Sequence, residues 1–475
     1  MPMRSILCFA ILQCLTVAIA AADSPRQHGS ADVLQTTALR ESAAAPVEEV
    51  NATLLYGGGD DGGFGTYIEG CTVDGEGRAY ALNYLRSFDG RRVNNTDGGG
   101  GPGSGRMALG EITADGDGAA WQPDPDGDAP PPRMRVRSMM GGSWNGAHFA
   151  PPAAMPPRPD GRDSKTVLLA DQLNHRQVHR CTAAALAELT TVLLQYTVTQ
   201  SAWLGDGLST ILATFCASPD MVEPNDLTVA SNGRVFTSAM RWAKDNVIGD
   251  GDLWTCSPSL NRGGSEPTRL AIMGRTNGID LSNVCTYNTQ KTATGRTQSS
   301  TATPADRTCA PAIARTAASQ HAACRIASRS PDEKTLYLSE AFNVNFTPIS
   351  NVVWAYDVDI ESGTVANKRL FVDFEKLDGS QGSDVDGLRT DVEGNVYVVR
   401  NGHWQVNVFA PDGTLARRIY TTVRYPTNLD FGGPDGRTLF IVGRCLDAPW
   451  GQGDGCVDTI DVPAAGRTWS MLQPQ

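Results

Sequence analysis

A tight turn followed by a run of alternating apolar residues returns along this chain, and that repetition limits the fold more than any other feature. The turn has the form Asp-x-x-Gly or Pro-Asp-x. It reads Val73-Asp74-Gly75-Glu76-Gly77-Arg78-Ala79-Tyr80, then Ala230-Ser231-Asn232-Gly233-Arg234-Val235-Phe236, then Pro331-Asp332-Glu333-Lys334-Thr335-Leu336-Tyr337-Leu338. It returns as Asp391-Val392-Glu393-Gly394-Asn395-Val396-Tyr397-Val398 and as Pro434-Asp435-Gly436-Arg437-Thr438-Leu439-Phe440-Ile441, with a shortened copy at Asp163-Ser164-Lys165-Thr166-Val167-Leu168-Leu169. The Gly- or Asp-containing step makes a hairpin, and the run after it has the period of two of a strand. Repeated hairpins predict a repeat architecture. Each hairpin is followed by an outer-strand segment, as in His175–Arg180, Gly251–Cys256, Val352–Asp357, Trp404–Ala410 and Cys456–Asp461. Hairpin plus outer strands makes a four-stranded blade, and six blades close a ring around a channel without long open edges. The expected fold is therefore all-β, a six-bladed β-propeller with long inserted loops. Its blades are expected over 54–85, 144–181, 222–257, 270–357, 382–410 and 426–462.

Composition agrees with a turn-rich fold: 50 Gly and 28 Pro in 475 residues. A formal net charge of -12 argues against nucleic acid and anionic membranes as partners. The N-terminus carries Arg4, an apolar stretch Ile6–Val17 and Ala18-Ile19-Ala20, the pattern of a cleaved secretory signal over 1–20. A flexible leader is expected over 21–48 and the propeller over 49–475. The expected location is secreted, with no membrane contact after cleavage and a monomeric state. Cys8 and Cys14 leave with the signal. Cys445 and Cys456 flank a Gly/Pro-rich loop and are the first expected disulfide, Cys181 and Cys216 the second. Asn51-Ala52-Thr53, Asn94-Asn95-Thr96 and Asn345-Phe346-Thr347 are glycosylation sequons.

Three insertions interrupt the repeat. Residues 86–134 are rich in Gly, Asp and Pro and read as a disordered loop. Residues 182–220 contain an Ala/Leu-rich run, Thr182–Tyr196, with the character of a short rim helix. Residues 283–330 hold three cysteines and few apolar residues, and two readings stay open: a surface loop, or an error of the gene model such as a retained intron.

Several blades open with a polar residue before the inner strand: Glu69-Gly70, Asn145-Gly146, Asn225-Asp226, Asn277-Gly278, Asp386-Gly387 and Thr427-Asn428. One such dipeptide is only a turn. Six in register place oxygen ligands around an axis, and carboxylates and amides suit hard divalent cations. There is no His-Glu-x-x-His, no Gly-x-Ser-x-Gly elbow and no Cys-x-x-Cys. His403-Trp404 reads as a blade turn.

Glu69-Gly70, Pro224-Asn225-Asp226, Asn277-Gly278-Ile279 with Ser330-Pro331-Asp332-Glu333, and Asp386-Gly387-Leu388 resemble the senescence marker protein/gluconolactonase family, which includes regucalcin. The resemblance covers most of the chain from Glu69 onward, insertions apart. It implies a propeller with one divalent cation in its channel, calcium first, with zinc, manganese or magnesium as alternatives. It implies Glu69, Asn277 and Asp386 as metal ligands, with Asp386 also the general base. Asn225 would hold metal or substrate. Glu223 falls at the substrate position where some sugar-lactone-hydrolysing members carry an Arg, so the sugar substrate does not carry over. The implied activity is metal-assisted opening of a lactone or ester of a small molecule. The reading from a different class is a non-catalytic metal- or ligand-binding propeller.

Overall fold

A computed structural model describes residues 46–57, 67–84, 107–113, 133–140, 144–151, 166–171, 196–202, 210–257, 267–282, 332–379, 382–445 and 455–473. The signal, most of the leader, the 283–330 insertion, the Thr182–Tyr196 run up to 195, and the Asn94 sequon lie outside them.

The repeating turns form for a local chemical reason. Asp74, Asn232, Asp391 and Asp435 each accept on Oδ1 the backbone N–H two residues on, at 2.9, 3.0, 2.9 and 3.2 Å. Inside the same turns Gly77, Gly233, Gly394 and Gly436 take φ of 79, 84, 84 and 72°, which a Cβ disfavours. In the remaining copy Glu333 takes φ 41° instead. Its carboxylate accepts from Ser231 N and Oγ at 3.0 and 2.6 Å, which offsets the strain.

The strands form six sheets, five of four strands and one of five. The first holds β3 (Tyr67–Val73), β4 (Ala79–Tyr84), β5 (Met107–Thr113) and β6 (Arg133–Met140). The second holds β7 (Trp144–Phe149), β8 (Thr166–Asp171), β9 (Tyr196–Ala202) and β10 (Thr210–Ser218). The third holds β11 (Pro224–Val229), β12 (Val235–Met240), β13 (Gly251–Cys256) and β14 (Pro267–Met273). The fourth holds β15 (Arg275–Leu281), β16 (Thr335–Val344), β17 (Thr347–Asp359) and β18 (Thr364–Asp373). The fifth holds β19 (Asp384–Thr390), β20 (Val396–Asn401), β21 (Gln405–Phe409) and β22 (Leu415–Tyr420), extended by β1 (Glu48–Asn51) in parallel. The sixth joins β23 (Tyr425–Gly432), β24 (Thr438–Arg444) and β25 (Gly455–Asp461) to β2 (Thr53–Gly57) from the other end of the chain. Two short helices are α1 (Phe374–Asp378) and α2 (Arg467–Met471).

The core lies between sheets, not within them. Tyr80, Leu82 and Leu109 pack against Ala147, Phe149, Val167 and Leu169 of the next sheet. The same occurs where Phe236 and Leu253 meet Ile279 and Leu338, and where Tyr397 and Val406 meet Leu429 and Phe431. Apolar residues on both faces of each strand therefore have partners, which gives an all-β, propeller-like arrangement.

Several expectations need correction. The 86–134 insertion contains β5 and the start of β6, and the 182–220 insertion contains β9 and β10. These strands escape notice because Gly, Asp, Pro and Thr dilute their apolar period. The strand at Leu54 belongs to the last sheet, not the first. Residues 267–273 close the third sheet, not open the fourth. Cys445 pairs with Cys456. Cys216, however, pairs with Cys256 and not with Cys181, which lies outside the described residues. That bond ties β10 to β13 of the neighbouring sheet. The 283–330 segment enters after a hairpin end that stays closed, with Ser282 N donating to Thr335 O at 2.7 Å.

Candidate functional site

Each innermost strand breaks its ladder at the polar dipeptide read from the sequence. The register shifts fall between Glu69 and Cys71, Trp144 and Ala147, Pro224 and Leu227, Thr276 and Ile279, Val385 and Leu388, and Pro426 and Asn428. A bulge re-aims the side chain at its apex. The glycine after it lets the next sheet approach. A Cβ on Gly146 would stand 2.6 Å from Asp226 Cα, and one on Gly278 would stand 2.4 Å from Leu388 N. Thr427 Oγ1 donates to Ile68 O at 2.7 Å and Thr276 Oγ1 to Ala239 O at 2.7 Å, stitching neighbouring sheets together.

Glu69, Asn277 and Asp386 all sit on these bulges and all are buried. The Asp386 carboxylate accepts from Asn401 Nδ2 at 3.1 Å, and the Asn277 amide lies near enough to lower its pKa. Burial raises the Asp386 carboxyl well above the usual range, the nearby Asp384 adds to this, and Arg275 opposes it. Glu69 is raised by burial first and then by the charges of Asp386 and Asp226. Three of the sequence candidates are thus brought together. Asn225 is 1% exposed, and among the described residues neither its Oδ1 nor its Nδ2 has a hydrogen-bond partner. A buried amide left in this way costs stability unless a water, an ion or a ligand group meets it. Glu223 lies two residues before Asn225. It precedes β11, is half-buried, and is raised by burial while Arg241 opposes.

A buried ionic ladder that the sequence did not disclose runs down the channel from this layer. Arg389 forks onto Asp226 at 2.9 and 3.3 Å, below the Asn225 amide. Thr390 N and Thr228 Oγ1 donate to Asp280 at 2.9 and 2.7 Å. Arg467 of α2 then spans Asp280 at 2.9 Å and Glu333 at 2.7 Å, closing the turn end of the channel. Burial alone would raise Asp280, but Arg467 and Arg389 hold its carboxyl below the usual value. His148, pushed down to about 3 by burial and the two arginines, is neutral. Asp226 was in view as half of the Asn-Asp pair. Arg389 and Arg467 carry no local signal, because their partners lie 163 and 187 residues away.

The donor set fits a hard divalent cation. Glu69 and Asp386 are both buried, the charge of Asp386 raises Glu69, the Asn277 amide lies near Asp386, and among the described residues the Asn225 amide has no hydrogen-bond partner. Positive charge at that place would offset the carboxylate repulsion and take the Asn225 amide oxygen. Among the described residues no group of three His, Cys, Asp or Glu side chains could hold a metal.

Residues 327–443 match the model of the SMP-30/Gluconolactonase/LRE-like region. A pentonolactonase of Haloferax volcanii is 29% identical over 127 residues, 25% of this chain and 42% of that protein. A 6-deoxy-6-sulfogluconolactonase of Pseudomonas putida is 30% identical over 112 residues, 24% of this chain and 35% of that protein. The matches thus span about two fifths and about a third of these curated relatives. The calcium-binding protein regucalcin from Agrobacterium tumefaciens shares the fold, with a TM-score of 0.50 at 14% identity, over 89% of this chain and 97% of the other.

Proposed function

We propose that this chain, which carries an SMP-30/gluconolactonase/LRE-like region, is a secreted, divalent-metal-dependent hydrolase that opens a lactone or ester of a small molecule. The six sheets are read as six blades around its channel. The observation that carries the proposal is the buried Asp386–Glu69 pair with Asn277 beside it and the unsatisfied Asn225 amide in the same layer. Glu69, Asn277 and Asp386 would hold the cation. The donors favour calcium, with magnesium, manganese or zinc as alternatives. The bound cation supplies Lewis acidity that polarises a carbonyl and lowers the pKa of water. Asp386 takes a proton from the attacking water, its carboxylate held by Asn401. Water oxygen adds to the carbonyl carbon, the ring C–O bond breaks, and the alkoxide regains the proton, leaving a hydroxy acid. Asn225 orients the substrate through its amide. Two disulfides and the Ala18-Ile19-Ala20 pattern support secretion.

The test is hydrolysis of a panel of aliphatic, aromatic and sugar lactones by protein that is chelated and then reloaded with each metal. Asp386→Ala should lower kcat at least about 100-fold, the loss typical of removing a general base. A folded, metal-loaded protein with no turnover would transfer the site to a binding role.

A further inference from the structure

Two indoles stand in the open at the bulge end of the channel. Trp242, 52% exposed, follows β12, whose last residue Met240 donates its N–H to Glu223 O at 2.8 Å, level with Asn225. Trp404, 40% exposed, follows β20, whose last residue Asn401 pairs with Asp384 and hydrogen-bonds Asp386. Each ring has one face on a guanidinium. Arg275 Cζ lies 4.7 Å from the Trp242 centroid, and Arg424 Cζ 3.5 Å from that of Trp404. Arg275 is buried and pairs with Asp384 at 2.7 Å, which fixes the Trp242 indole to the strand that bears Asp386. Trp404 sits in the His403-Trp404 turn read from the sequence, but at φ 55°. A bulky aromatic enters that region only at a cost, and Gly, Asn or Asp is the residue the turn favours. Core packing does not account for a strained, open indole. Strain of this kind clusters where a ligand is met.

We propose that Trp242 and Trp404 are the walls that receive the non-reacting part of the substrate, and that this part is a flat aromatic ring. The substrate class is then an aryl-fused or aryl-substituted lactone or ester, not a polyhydroxylated one. The inference rests on the hydrolase reading above. The guanidinium on the inner face of each indole draws π density from it, which favours an electron-rich ring on the outer face. Polyhydroxylated rings need several convergent donors, and the wall residues offer one each.

The test compares dihydrocoumarin, an aryl-fused lactone, with δ-valerolactone, the same ring without the aryl group. In Trp242→Ala and in Trp404→Gly, which also relaxes the backbone, the ratio of kcat/KM for the aryl lactone to that for valerolactone should fall about tenfold, through KM. Trp242→Phe should restore most of it. Ile272→Ala, on an exposed outer strand, should leave the ratio unchanged. An unchanged ratio in both Trp variants overturns the proposal. Binding of 3,4-dihydroquinolin-2-one, the matching lactam that is not hydrolysed, is read in parallel by saturation-transfer NMR. Binding that is lost in the Trp variants supports the walls even if no lactone is turned over, which would count against the hydrolase reading alone. No binding to the wild-type chain overturns the walls even if valerolactone is hydrolysed.

Discussion

Gly278→Ala should be damaging out of proportion to the one methyl it adds. The added Cβ would lie 2.4 Å from Leu388 N, 2.5 Å from Asp386 O and 2.6 Å from Gly387 C, about 1 Å short of ordinary contact at each. All three are backbone atoms of the next inner strand, so no side-chain rotation relieves them. The strands must part by roughly that distance, and a closed ring passes the shift to its neighbours. Overpacking of this kind costs about 3 kcal/mol, the upper end of the usual range. At about 2 °C per kcal/mol for a large domain, the melting temperature should fall by about 6 °C. Asp386 moves with its carbonyl, and a misplacement of about 1 Å can cost about 100-fold in kcat. Gly379→Ala is the control. It has φ 66° but nothing within 4 Å, so it should lose about 1 kcal/mol and keep its activity. Differential scanning calorimetry and the lactone assay would be run on both. A Gly278→Ala protein as stable and active as the wild type would show that the inner strands do not meet as described.

Asp430, fully buried, is pushed up to about 7 by burial, with Arg389 opposing. The folded state therefore holds a proton that the unfolded state has lost, and this contribution to stability is complete below the unfolded pKa and disappears as pH rises towards 7. Asp430→Asn removes the dependence. Its stability relative to wild type should improve by about 4 kcal/mol between pH 4 and 8 in urea titrations, and a pH-independent difference would contradict the assignment. The Cys216–Cys256 bond closes a span of 40 residues and the Cys445–Cys456 bond one of 11. Chain entropy gives about 4 and 3 kcal/mol respectively. Paired Cys→Ala variants should melt in that order, and the reverse order would mean that loop closure does not dominate.

The hairpins were legible because an Asx turn with a left-handed glycine leaves its mark within five residues, as at Asp391 to Asn395. The polar dipeptides of the channel were legible for a related reason. A bulge residue needs an oxygen, and its neighbour needs to be small, so Asn277-Gly278 and Asp386-Gly387 look alike. Glu69, Asn277 and Asp386 are three of the six positions read in this way. Strands β5, β6 and β9 were not, since the Gly- and Thr-rich segments around them carry too few apolar residues to show a period. The partner of Cys216 was misjudged because proximity along the chain favoured Cys181, whereas the sheets bring Cys256 alongside. Arg389 and Arg467 were missed because an ion pair between distant blades leaves no spacing to read. The exposed Trp404 was seen only as part of a turn, since φ is not written in the sequence.

The sixth sheet is completed by β2, whose Thr53 pairs with Thr459, 406 residues further on. A ribosome adding about 5–20 residues each second needs about 20–80 s to deliver that partner. Throughout that interval Thr53–Gly57 offers an unpaired edge, and the final sheet does not exist. Ring closure is therefore an event of the finished chain. A nascent chain interrupted before Gly455 is not a smaller stable protein but an open template for strand addition, and its survival depends on whatever shields that edge during synthesis.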